Sequence, residues 1–201
     1  MFKNHMPEIK RYAMHSPENL ADVVLMVSLS IQQPWHTVGT QIRDVRINGS
    51  SSKYLWGIKR KTYEYLQSNK TELYNNYIRI LRNRSPSIYK ARQMLDAFMD
   101  VPGLGLVKSG FCCQLTAGLV GCIDLHNIRI YGIEPSTLKV SKSMSAKLIR
   151  SKQIDYIDVC HRIGTQKLWD KWCEHLASNS KHFTSGFEVS KVHYDYLALE
   201  A

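Results

Sequence analysis

Residues 100–105 read DVPGLG, and this turn limits what the chain can fold into more than any other stretch. Proline cannot extend the segment before it as a helix, and Gly103 and Gly105 permit backbone angles closed to other residues. The segments on either side, SIYKARQMLDAFMD and LVKSGFCCQLT, both read as helical. Two helices must therefore meet through a hairpin of a few residues. The second is expected to start near Leu106 or Val107, with its first N–H groups unpaired and the positive end of its dipole facing outward. Such an end takes an anion. With Lys108 in the first turn the natural guest is a phosphate, held without any reading of base sequence. A plain helix-to-helix connection is the simpler alternative.

Elsewhere the chain also reads as helix. Ser16 followed by Pro17 is a start signal, and LADVVLMVSLSI behind it is apolar nearly all round, which predicts a buried helix. INGSSSK at 47–53 is the most loop-like stretch. KYLWGIKRKTYEYLQSNK, TELYNNYIRILRN and SPSIYKARQMLDAFMD then read as separate helices. Beyond the hairpin come STLKVSKSMSAKLIRSK, IDYIDVCHRIG, QKLWDKWCEHLAS and, behind a capping box of Ser185 and Glu188, VSKVHYDYLAL. Strand alternation is confined to a few short apolar runs. The expectation is one all-α unit over residues 1–201, with about ten helices and no internal repeat.

A net charge of +10, concentrated before the hairpin, points to a polyanionic partner, nucleic acid first. Five cysteines, with Cys112 and Cys113 adjacent, suit a reducing compartment without disulfides. The N-terminus lacks a signal-like apolar core, and no window has the length of a membrane span. A soluble, cytoplasmic monomer is expected, in the host cytoplasm if the source is viral.

VPGLG followed by CIDLHNIRIYGI resembles the helix-hairpin-helix DNA glycosylase superfamily, endonuclease III-like. The family pattern is a proline-glycine-x-glycine hairpin, a short apolar helix, and an apolar-apolar-Asp-x-His run. Asp124 stands where the family has its essential aspartate, with His126 two residues after it. SIYKARQMLDAFMD is similar to the helix leading into the hairpin, and VLMVSLSIQQPWHTV to the first core helix and its glutamine-bearing turn. The likeness covers about residues 17–133; about 150–201 reads as a helical C-terminal extension without a counterpart.

The resemblance implies two helical lobes with the helix-hairpin-helix motif at their cleft. It implies that double-stranded DNA is held by Gly103, Gly105, Val107 and Lys108 and by Gln32 or Gln33 as a wedge; the basic residues Lys90, Arg92 and Arg129 are expected to add phosphate contacts. His36 and His126 are the candidate pocket residues. Asp124 and Lys108 are the candidate catalytic groups. Bifunctional members carry a Schiff-base lysine five residues after the hairpin proline, which here is Val107. Lys108 comes one residue later, about 100° further round the helix, and is expected to point away from the acid. A monofunctional enzyme is implied. Some relatives hold an iron–sulfur cluster on four close cysteines near the C-terminus; with only Cys160 and Cys173 in that region, no cluster is expected. A monovalent cation at the hairpin is the one ion the resemblance suggests, and no metal ligands are assigned.

The implied chemistry suits the residue types. Breaking an N-glycosidic bond builds positive charge on the sugar, which a nearby carboxylate stabilises more in the transition state than in the substrate. The base must first leave the stack, at a cost of a few kcal/mol. This reading is a base-excision glycosylase acting on a modified or mismatched base. Two others stay open: a transferase like the bacteriophage enzymes of similar fold that hypermodify DNA bases, and a non-catalytic DNA-binding or virion-associated module in which Asp124 only caps a helix.

Four further groupings carry weaker signals. Cys160, His161, Cys173 and His175 invite a zinc site, but the cysteines fall in apolar helical patterns and read as core. Trp169 and Trp172, three apart, read as one packing face. Tyr63, Tyr65, Tyr74 and Tyr77 interleave with Lys59, Arg60, Lys61 and Arg79, either against single-stranded nucleic acid or as a solvated face. His36 follows Pro34 and Trp35 close to the glutamine turn and reads equally as a satisfied structural histidine.

Overall fold

The computed structural model describes residues 5–141 and 143–197, which are helical with no strand among them. Ten α-helices follow one another: α1 (Met6–Ala13), α2 (Pro17–Leu29), α3 (Val38–Asn48), α4 (Ile58–Arg82), α5 (Ser87–Met99), α6 (Leu106–Thr116), α7 (Leu125–Tyr131), α8 (Ala146–Ile163), α9 (Thr165–Ser178) and α10 (Gly186–Leu197). Ser16 caps α2 through a bond from the Asn19 amide to its hydroxyl, as the Ser-Pro signal predicts. From Val23 to Leu29 every residue of α2 is buried.

Two expected breaks do not occur. The segments 53–70 and 71–83 are joined in one 25-residue helix, α4, because no proline or glycine interrupts 58–82 and Asn69 satisfies its amide on the Tyr65 carbonyl one turn back. Likewise 146–163 is continuous, and only residues 135–138 form a separate short 3₁₀ turn. The 47–53 loop is shorter than expected, since α3 runs to Asn48. At Ser185 the capping box is half formed: its hydroxyl accepts from the Glu188 amide, while the Glu188 carboxylate takes the Thr184 amide.

α6 is the axis of the core. Every residue from Ser109 to Thr116 is buried, which explains a helix built from small and apolar residues. It packs on α1, α2 and α5. Gly110 lets the Tyr156 hydroxyl of α8 lie against its backbone, where a Cβ would be 2.1 Å from that oxygen. The C-terminal helices are no appendage: α8 packs on α5, α9 on α7, and α10 returns to α1, where the His5 amide donates to Ser190 Oγ.

The two hairpin glycines differ in what they do for the fold. Gly103 has φ +91°, and a Cβ there would sit 2.6 Å from Ile58 Cγ1 and 3.2 Å from Thr62 Oγ1. Gly105 has an ordinary negative φ, and a Cβ would meet nothing within 4 Å. Gly103→Ala is therefore expected to lower stability by about 1–2 kcal/mol in thermal or denaturant unfolding, and Gly105→Ala to change it little. Equal losses at the two positions would refute the distinction.

Candidate active site

Asp124 is built into place from three sides. As the N-cap of α7 it accepts the His126 and Asn127 amides on Oδ1, each at 3.0 Å. Its other oxygen accepts Trp172 Nε1–H from α9 at 2.8 Å. The backbone leading to it is clamped as well. Gln114 of α6 accepts the Cys122 amide, Asn127 donates to the Cys122 carbonyl, and Tyr156 Oη accepts the Ile123 amide while donating to the Gly121 carbonyl. A carboxylate held this way needs no reorganisation as charge develops beside it, which is the condition for effective electrostatic stabilisation.

The carboxylate lines a cavity of about 670 Å³, within the range of small-molecule sites. Its apolar wall is a cluster of Trp35, Phe111 and Trp172, with ring centroids 5.7–6.0 Å apart, backed by His193 stacked on Trp35 at 4.0 Å. Ser30, Gln32, Gln33, Lys108 and His126 supply the polar groups. Gln32 is exposed with φ +55°, a left-handed conformation that costs a non-glycine residue about 1 kcal/mol or more. Gln33 is braced by Gln41, which donates to its side-chain oxygen.

Lys108 lines the same cavity as Asp124, as does Val107. The first turn of α6 runs along the wall, and a four-carbon stem spans more than a one-residue offset. Its ammonium donates to Ser30 Oγ at 3.1 Å and lies 5.6 Å from the centre of the Phe111 ring. His126 lines the cavity too; its Nδ1 is buried without a partner among the described residues. The ring of His175 is 4.4 Å away, and burial, reinforced by the charge of His126, pushes His175 below the usual histidine range. His36 lies instead in a neighbouring smaller cavity, stacked on His182 at 3.7 Å.

The other residues expected to touch DNA divide. Lys90 donates to the Leu81 carbonyl near the end of α4, and Arg92 pairs with Asp96 one turn along α5. Arg129 is exposed on α7. No backbone bond is made by the Leu106, Val107 or Lys108 amides among the described residues, as expected for the first turn of α6. The hairpin carbonyls of Val101 and Pro102 accept the Leu104 amide and the Thr62 hydroxyl. The chain thus braces by itself the turn at which a monovalent cation is suggested.

The five cysteines are buried and free, and burial pushes the Cys113 and Cys160 thiols up to about 12. Among the described residues no three His, Cys, Asp or Glu side chains gather as metal ligands, and no helix is long and apolar enough to cross a membrane. The tyrosine and basic interleaving on α4 splits: Tyr77 is buried with its hydroxyl on the Thr116 carbonyl, and Lys59 is buried as well. Trp172 was legible only as packing. That its indole N–H must find an acceptor when buried was foreseeable, but no local signal links it to residue 124. Comparison with family models, with curated proteins and with solved structures gives no match, so what the site does rests on its own geometry.

Proposed function

We propose that the protein is a monofunctional DNA glycosylase of helix-hairpin-helix type. The reading takes α5, residues 100–105 and α6 as the DNA-contacting motif and the cavity as the cleft between two helical lobes. The observation that carries it is Asp124, fixed by three donors on the wall of a base-sized, aromatic-lined cavity whose wall also includes the first turn of α6. Capping alone needs one carboxylate oxygen. Here the second is engaged by a tryptophan of the cavity wall, an arrangement that helix capping does not require.

In this reading the unpaired amides of α6 hold a backbone phosphate, and the open space at Gly105 admits the strand. The target nucleotide swings into the cavity, while Gln32 and the 65 % exposed Leu125 at its rim fill the gap it leaves. Asp124 then stabilises the sugar cation, and water adds to it. Lys108 sits near the C-terminal end of α2, its amine engaged by Ser30 and lying over Phe111 instead of standing free as a nucleophile.

The test is single-turnover base release from duplexes with mismatched and modified bases, run beside borohydride trapping. Alkali-sensitive abasic strands without a trapped adduct are expected. An adduct lost in Lys108→Gln would overturn the monofunctional reading. Binding should involve ~4–6 phosphates, giving a slope of log K against log salt of about −4 to −5. A slope near zero would remove DNA as the partner.

A further inference from the structure

We infer that Lys108 serves the departing base: its ammonium selects a base edge of carbonyl oxygens, of the pyrimidine-2,4-dione class, and holds the negative charge that the base carries away. The chemical half of this inference rests on the glycosylase reading; the binding half does not.

The charge at the C-terminal end of α2 is unbalanced. Behind Lys108 lies a second lysine, Lys59, only 1 % exposed, whose ammonium donates to the Leu29 carbonyl at 2.8 Å. Lys108 donates to Ser30, the very next residue. Both cations thus gather at the C-terminal end of α2, where the helix dipole favours them. Neither makes an ion pair among the described residues; the six ion pairs there are formed by other side chains. Burial, and then the charge of Lys108, push Lys59 below the usual lysine range, so the two amines feel each other. Ser30 contributes little balancing charge, because its own proton is donated to the Val27 carbonyl.

Of this pair only Lys108 faces the cavity. A lysine ammonium is donor only, so it pairs with oxygen and is opposed by an amino group. Cytosine and adenine present exocyclic amines on the edge remote from the sugar. A pyrimidine-2,4-dione presents two carbonyl oxygens and no amine. When the C1′–N1 bond breaks, its electron pair leaves with N1 and spreads onto those oxygens, so an ammonium beside one of them gains interaction as the bond lengthens. Water adds at C1′ and loses a proton, the released base takes one up, and the sum is hydrolysis. Asp124 and Lys108 then divide the work, with the carboxylate serving the sugar and the ammonium the base.

The experiment has a binding arm and a rate arm, each on the full chain and on Lys108→Met and Lys108→Arg, with folding checked by thermal unfolding. In the first, duplexes carry one 2′-fluoro-arabino nucleotide, which resists cleavage, with uracil, hypoxanthine, cytosine or adenine as base. The wild type is expected to favour uracil over cytosine by about tenfold or more, Lys108→Arg to keep the preference, and Lys108→Met to lose it. A preference unchanged in Lys108→Met, or a wild type that favours amino bases, overturns the assignment. Tighter binding of hypoxanthine than uracil overturns its pyrimidine part. In the second arm, release is measured for 5-fluorouracil, uracil and thymine, in order of decreasing acidity. Lys108→Met should slow thymine more than 5-fluorouracil; equal slowing would reduce Lys108 to a positioning residue. A wild type that releases no base yet shows the Lys108-dependent preference would remove the glycosylase reading and leave the base assignment standing.

Discussion

Asp124→Asn is expected to slow base release by about 10²-fold or more, roughly 2.7 kcal/mol of transition-state stabilisation, while leaving duplex affinity within about twofold. The substitution keeps the shape and removes the charge. Asparagine caps helices as well as aspartate does, and its oxygen can still accept the His126 and Asn127 amides. With the oxygen so placed, its amino group faces Trp172 Nε1–H, donor against donor. A modest loss of stability, about 1 kcal/mol, should accompany the loss of rate, and it sets the control. Trp172→Phe removes the other half of that contact, so Asp124→Asn and Trp172→Phe together should cost less stability than the two singly combined. Undiminished release in Asp124→Asn, with both proteins folded, would end the proposed role of the acid. If release vanished along with duplex affinity, the residue would be holding the DNA-contacting surface instead.

How much of this could be read from the sequence depends on range. The hairpin, the start of α6 and the cap at Asp124 are local events, set by Pro102, Gly103, Gly105 and the acid before Leu125, and each lies where the spacing puts it. The breaks expected at about 70 and 153 failed for the opposite reason: polar runs resemble loops, yet without proline or glycine a helix continues whenever its other face is packed. Where the Lys108 ammonium ends was not legible, because a rotation per residue says where Cβ points and not where a long side chain ends. The groups that hold the acid were beyond reach. Trp172 and Tyr156 lie 48 and 33 residues from the positions they bond, and only the packing of α8 and α9 brings them there.

Tyr156→Phe is expected to be among the most destabilising single-atom changes in the chain, at about 2–4 kcal/mol. One hydroxyl satisfies two buried backbone groups, donating to the Gly121 carbonyl at 2.7 Å and accepting the Ile123 amide at 3.1 Å. Phenylalanine fits the ring space but leaves both groups facing a C–H edge, each orphan costing about 1–3 kcal/mol. The void is one oxygen in size and bounded by Gly110, so a water cannot replace the hydroxyl without backbone movement. In a chain of 201 residues the loss corresponds to a drop in melting temperature of about 5–15 °C. The same segment ends at Asp124, so any variant folded at assay temperature should also release base more slowly. Gly121 and Ile123 amide exchange, measured by hydrogen–deuterium methods, separates the causes: faster exchange confined to this segment means the clamp has opened, whereas unchanged stability and exchange would show that Tyr156 merely packs. The acid is thus tied to the C-terminal third twice, through α9 at the carboxylate and through α8 at the backbone before it.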